Sequence, residues 1–163
     1  MEMFIGTKAV KATKMGRGAY NDYRGWEIPF DEEPDDPGYL VEYFNGGEPN
    51  HPDHVGYISW SPIGVFEAAY QKSGELSFGH ALECLKAGMK VARSGWNGKG
   101  MWLILVPGTE VATMMPGTPY SDAGITEPTD INPHIDMFTA DGSMQPGWLA
   151  SQTDMLATDW CIV

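Results

Sequence analysis

Positive charge runs out before the chain does. From residue 101 to residue 163 there is no lysine or arginine, against eight aspartates and glutamates. Over the whole sequence 10 Lys and Arg face 22 Asp and Glu, a net charge of −12. That balance excludes a binder of DNA or RNA backbones, which needs a basic face to displace condensed counterions. Cysteine is equally scarce. Cys84 and Cys161 are the only two, with no CxxC spacing, which argues for free thiols in a reducing compartment rather than a disulfide framework. No apolar run approaches the roughly 18 residues of a membrane span. The opening MEMFIGTKAVKATKMGRGAY lacks the apolar stretch of a signal peptide. The expectation is a cytoplasmic protein with no membrane and no nucleic-acid polymer among its partners.

Catalytic signatures are missing as well. GWNGKG lacks the GxxxxGK[ST] pattern of a phosphate-binding loop and precedes a strand rather than a helix. Ser151 has no nucleophile elbow around it. His51, Asp53 and His54 form a polar HPDH corner, but no second His or Cys pair stands at metal-ligand spacing, so no metal is expected. His134 and Asp136 project from the same side of a strand. They suit an acid–base pair, a metal pair or a structural pair, with no third catalytic group identifiable.

What is present is a single basic island. Residues 71–100 carry Lys72, Lys86, Lys90, Arg93 and Lys99 against Glu75 and Glu83. Within it, KVARSGWNGKGMW (residues 90–102) combines three cations, Trp96, Trp102 and three glycines. Cations, flat aromatic faces and a backbone that allows close approach suit a phosphorylated, base-bearing small molecule. They equally suit a tight hairpin turn with core tryptophans. A second stretch, GWLASQTDMLATDW (147–160), sets Trp148 and Trp160 around Ser151, Gln152, Thr153 and Asp154. Those groups can read a base edge or a ribose diol, or form a polar turn anchoring two core tryptophans.

The pattern predicts an α+β fold in two parts. In residues 1–72, FIGTKAVKA (4–12) reads as a strand, 15–23 as a short helix or turn, and 28–37 as an acidic loop. GYLVEY (38–43) and GYISW (56–60) read as a hairpin. Ser61 and Pro62 read as the start of a helix that Gly74 ends. In residues 76–163, Ser77 caps a helix with Phe78, Ala81, Leu82 and Leu85 at helical spacing, and Gly88 closes it. Strands follow at 90–93, 101–106, 135–139 and 159–163. Residues 107–134 read as one long loop, and 150–157 as a short helix or turn capped by Ser151. A small antiparallel sheet packed by one main helix is therefore expected here, preceded by a small β-rich unit with one helix. Trp102, on an apolar strand, is expected in the core.

Three pieces, SFGHALECLKAGMKVARSGWNGKGMWLILVPG, PHIDMFTADG and PGWLASQTDMLATDW, occur in order across residues 77–163. Together they resemble the phage Thoeris anti-defence proteins of the second type. The resemblance implies a non-enzymatic homotetramer with ligand pockets between protomers, acting in the host cytoplasm with no cofactor. It implies sequestration of glycocyclic ADP-ribose signals, and of the cyclic dinucleotides of cGAS-like (CBASS) defence. Trp96 matches a ligand-stacking tryptophan of that family. In matching motifs, Trp148 is assigned to stacking, and Arg93 and Lys99 to phosphates. Asn97, Gln152 and Asp154 are assigned to ribose or base. The alternatives are a nucleotide phosphodiesterase using His134 and Asp136, or a structural phage module. Residues 1–72 fall outside the resemblance. They look like a phage-encoded module of unknown function, which adds a binding surface, decorates the tetramer or restricts the pocket.

Overall fold

A computed structural model describes every residue except Met1, Phe4, Ile5, Ala112, Thr113, Met114 and Thr126. The chain divides into two compact units, Met1–Gln71 and Lys72–Val163. Both mix helices with antiparallel sheet, so the fold class is α+β.

The first unit is a three-stranded sheet ordered β1 (Val10–Lys14), β2 (Gly38–Tyr43), β3 (Tyr57–Pro62). The strand expected at 4–12 is observed from Val10, and its positions Phe4 and Ile5 lie outside the described residues. Alternation along β2 sends Leu40 and Glu42 to one face and Tyr39, Val41 and Tyr43 to the other. Helix α1 (Arg17–Arg24) covers the first face, where Tyr20 packs with Leu40 and Ile58. Helix α2 (Ile63–Ala69) covers the second, with Phe66 stacked between Tyr39 and Tyr70. Ser61 does not cap α2 as expected. It is still in β3, paired with Tyr39, and the N-cap is Pro62 with no side-chain bond. The helix also stops at Tyr70, in extended conformation, well before Gly74.

In the second unit the sheet order is β10 (Trp160–Ile162), β4 (Val91–Arg93), β5 (Trp102–Val106), β8 (His134–Phe138), β9 (Met144–Gln145). One helix, α3 (Phe78–Lys86), packs on it. Ser77 caps that helix, its Oγ accepting the His80 amide, and the His80 ring returns to the Ser77 amide. At the other end Gly88, with φ of 79°, lets its own amide reach Leu85 O and the Met89 amide reach Cys84 O. This is the Schellman closure that leaves few orphan carbonyls. Leu76, Ala81, Leu85, Val91, Leu103 and Trp160 form the buried core.

Two expectations change. Residues 107–134 are not featureless: they hold the hairpin β6 (Thr109–Val111) with β7 (Thr129–Ile131), and the short helix α4 (Pro119–Asp122) that Thr118 caps. Trp102 is only half-buried. Pleating places it opposite Leu103, stacked flat on Phe138 with Lys90 Nζ 5.1 Å from its ring centroid.

Leu103 is completely buried, so Leu103→Ala should cost about 2–5 kcal/mol through lost transfer energy and a residual cavity. Phe30 is fully exposed, and Phe30→Ala should stay within about 0.5 kcal/mol. Urea unfolding of the two variants checks both outcomes.

Candidate functional site

The basic island and the C-terminal Trp-rich stretch meet in space because β10 pairs with β4 in antiparallel register, placing Trp160 opposite Arg93. The turn after β4 carries Trp96, and the segment before β10 carries α5 (Gln152–Met155). Ser151 caps α5 as the sequence indicates, through a capping box with Asp154.

Asp154 is the hub. Its Oδ1 accepts from Arg93 Nη1 at 2.8 Å and from the Trp96 indole N–H at 3.0 Å. Its Oδ2 accepts the Ser151 hydroxyl at 2.6 Å and the Ser151 amide at 3.1 Å. Its backbone carbonyl accepts the buried Trp160 indole N–H at 3.0 Å. Burial works against this carboxylate, but the bonds from Ser151, Trp96 and Arg93 outweigh it and hold its pKa down at about 2. Arg93 Nε bonds Asp159 Oδ1 at 2.8 Å, and Asp159 Oδ2 takes the Gly95 amide at 2.7 Å. The bond to Arg93 leads the forces that keep Asp159 below the usual carboxylate range. Gly95 leaves room for this carboxylate, since a Cβ would stand 2.6 Å from Asp159 Oδ2.

Around the hub lies an aromatic cluster. Trp96 meets Trp160 at 5.5 Å and Trp148 at 6.3 Å, both edgewise, and Phe78 meets Trp148 and Trp160. Trp96 and Trp148 are half-buried, while Trp160 is sealed in the core. Asn97, Lys99 and Gln152 are exposed on the same two segments. Arg93 and Asp154, read from the sequence as phosphate and ribose contacts, direct these bonds within the protein, with side chains 11% and 12% exposed. Little in the sequence signals Asp159. Its role comes from long-range pairing with Arg93, and an ordinary Thr-Asp-Trp run carries no such signal.

His134 and Asp136 do sit together, Nε2 to Oδ1 at 3.5 Å. Asp136 also receives the Gly147 amide, and His134 Nδ1 lies 2.9 Å from the Asn132 carbonyl. The pair thus ties β8 to the turn before Trp148. A recess of about 280 Å³ formed by residues 108–110 and 130–133 carries Glu110 and Asp130 and no cation, a poor match for a phosphorylated ligand. Among the described residues, no group of three or more His, Cys, Asp or Glu is placed to hold a metal ion. Nor is any helix there long and apolar enough to cross a membrane.

A family model for the Thoeris anti-defense 2-like domain matches residues 76–163. The chain is also 47% identical over 89 residues to a protein of Bacillus phage SP01 called Thoeris anti-defense 2, spanning 55% of this chain and 96% of that protein. The matched region contains Arg93, Asp154, Asp159 and the three clustered tryptophans.

A depressed carboxylate contributes stability above its unfolded pKa and loses it as pH falls through the folded value. The Asp154 contribution should therefore be complete above about pH 4 and fade toward about pH 2. Urea midpoints measured from pH 5 to 2 should fall less steeply in Asp154→Asn, from a lower starting stability. Arg93→Ala strands two carboxylates beside the core and should cost about 3–5 kcal/mol. A double-mutant cycle with Asp154→Ala should return a coupling of about 0.5–3 kcal/mol.

Proposed function

The chain belongs to the Thoeris anti-defense 2-like family, and from that premise we propose that residues 76–163 form a non-enzymatic sponge for cyclic nucleotide immune signals. The ligands are glycocyclic ADP-ribose and, in the same class, cyclic dinucleotides. Sequestering them in an infected host's cytoplasm would blunt Thoeris immunity and CBASS. The observation that carries the reading is a half-buried Trp96 pinned through its indole N–H to Asp154, with Asn97, Lys99 and Gln152 exposed on the flanking segments. A stacking face held in position loses little entropy on binding. Each base–aromatic stack contributes roughly 1–3 kcal/mol.

In this reading Trp96 and Trp148 present the stacking surface, Lys99 meets phosphate, and Asn97 and Gln152 hydrogen-bond base or ribose. Arg93 and Asp154 serve as positioning residues, because their bonds to each other, to Asp159 and to Trp96 fix the platform. Assembly into a homotetramer is part of the same reading, and Leu149 and Leu156, 88% and 77% exposed on the Trp148–α5 segment, offer apolar surface for a subunit contact.

Calorimetry against glycocyclic ADP-ribose isomers and cyclic dinucleotides should find at least one ligand with a Kd near nanomolar, about −12 kcal/mol. Lys99→Ala should weaken it by about tenfold or more, as expected for a charge-assisted bond. Ligand recovered after denaturation should be intact. Recovery of a cleaved product would favour the phosphodiesterase built on His134 and Asp136, and silence across the whole panel would sink the sponge.

A further inference from the structure

The first unit holds a chain of reactive groups that binding by residues 76–163 does not use. Glu42 lies on the α1 face of β2, its side chain 11% exposed. Its Oε1 accepts the amides of Val55 and Gly56 at 3.0 and 3.1 Å. Gly56 lets this segment pass close to the β2 backbone, since a Cβ there would lie 2.3 Å from Tyr43 O. The other oxygen, Oε2, stands 3.3 Å from His54 Nδ1. His54 Nε2 is 3.0 Å from the Tyr23 hydroxyl. The His51 ring stacks on Tyr23 with centroids 4.4 Å apart, and His51 Nδ1 accepts the Asp53 amide at 3.3 Å. In the neutral ring that bond leaves the proton on Nε2.

We infer that Tyr23 is the nucleophile of an acyl-transfer site in the first unit, with His54 as its base, Glu42 as the residue that positions His54, and an uncharged ester as substrate. Carboxylate, imidazole and hydroxyl stand in the order that lets a weak nucleophile lose its proton as it attacks. Tyr23 remains a phenol at rest, because burial and the carboxylates of Asp53 and Glu42 hold its pKa above the ordinary value. The base is therefore needed at the moment of attack. Those same carboxylates repel anionic electrophiles, which selects a neutral ester over a phosphoester.

In the first step Tyr23 Oη bonds the carbonyl carbon and its proton passes to His54 Nε2. Glu42 stabilises the imidazolium. The C–O bond to the alcohol breaks, and the alkoxide takes the proton from His54. Water then releases the acid by the same route: His54 takes a proton from water and returns one to the departing Tyr23 oxygen.

The test uses the full chain with p-nitrophenyl acetate, following p-nitrophenolate release and locating the acetyl group by peptide mass spectrometry. Tyr57 and Tyr120, 41% and 52% exposed, are internal controls. Tyr23 should be acetylated roughly 10²-fold faster than either, the scale of general-base assistance. His54→Gln keeps a hydrogen-bonding partner for Tyr23 but cannot take its proton, so it should lose that advantage while far-UV circular dichroism stays native. Tyr23 acetylated no faster than Tyr57 and Tyr120 in the native chain would overturn the inference without any variant. A folded His54→Gln protein that reacts at the native rate would overturn it too.

Discussion

The guanidinium of Arg93 lies between two carboxylates that are 61 and 66 residues away in sequence. Everything around the tryptophan cluster depends on that arrangement. Asp154 and Asp159 are close enough that two negative charges would repel strongly in a half-buried setting, and one delocalised cation with a planar fork satisfies both. Removing the cation would leave uncompensated charge beside the core, a larger penalty than the pair's own attraction. The ion pairs therefore act as a clasp. They hold the turn after β4, helix α5 and β10 in one relation.

Trp96 gains its orientation from that clasp rather than from packing alone. Its indole N–H and a guanidinium N–H share one carboxylate oxygen, while Trp160 hangs from the carbonyl of the same aspartate. Two of the three clustered tryptophans are thus fixed by a single residue. An aromatic surface positioned in advance suits the sequestration proposed above, since every ordering cost on binding subtracts from affinity. In a chain of net charge −12, pairing Arg93 with two aspartates leaves Lys99 as the exposed cation of this turn.

The first unit solves a different problem with similar parts. Three strands alone bury too little, so helices close both faces, one through Tyr20, Leu40 and Ile58 and the other through the Tyr39–Phe66–Tyr70 stack. Polar groups in this small interior mostly find partners, although Asn21 Oδ1 on α1 is buried without one among the described residues. Glu42 takes two backbone amides, and the Asn50 side chain both donates to and accepts from Ile58, standing in for a missing strand neighbour.

Local chemistry was legible in the sequence wherever neighbours in the chain decide the outcome. The Ser77 cap, the Gly88 closure, the apolar spacing of α3 and the Ser151 cap all follow from short-range rules. The motif resemblance likewise located the family domain. Short-range rules failed at Ser61, where a ladder partner on β2 outcompeted a helix cap, and in residues 107–134, where pairing of β6 with β7 is a choice between distant segments. The sequence could place a cation, two acids and three tryptophans in the same domain. Only the tertiary structure decided that Arg93 and Asp154 spend these hydrogen bonds on each other, on Asp159 and on Trp96, because an ion pair forms where folding brings charges together and chain order does not specify that distance.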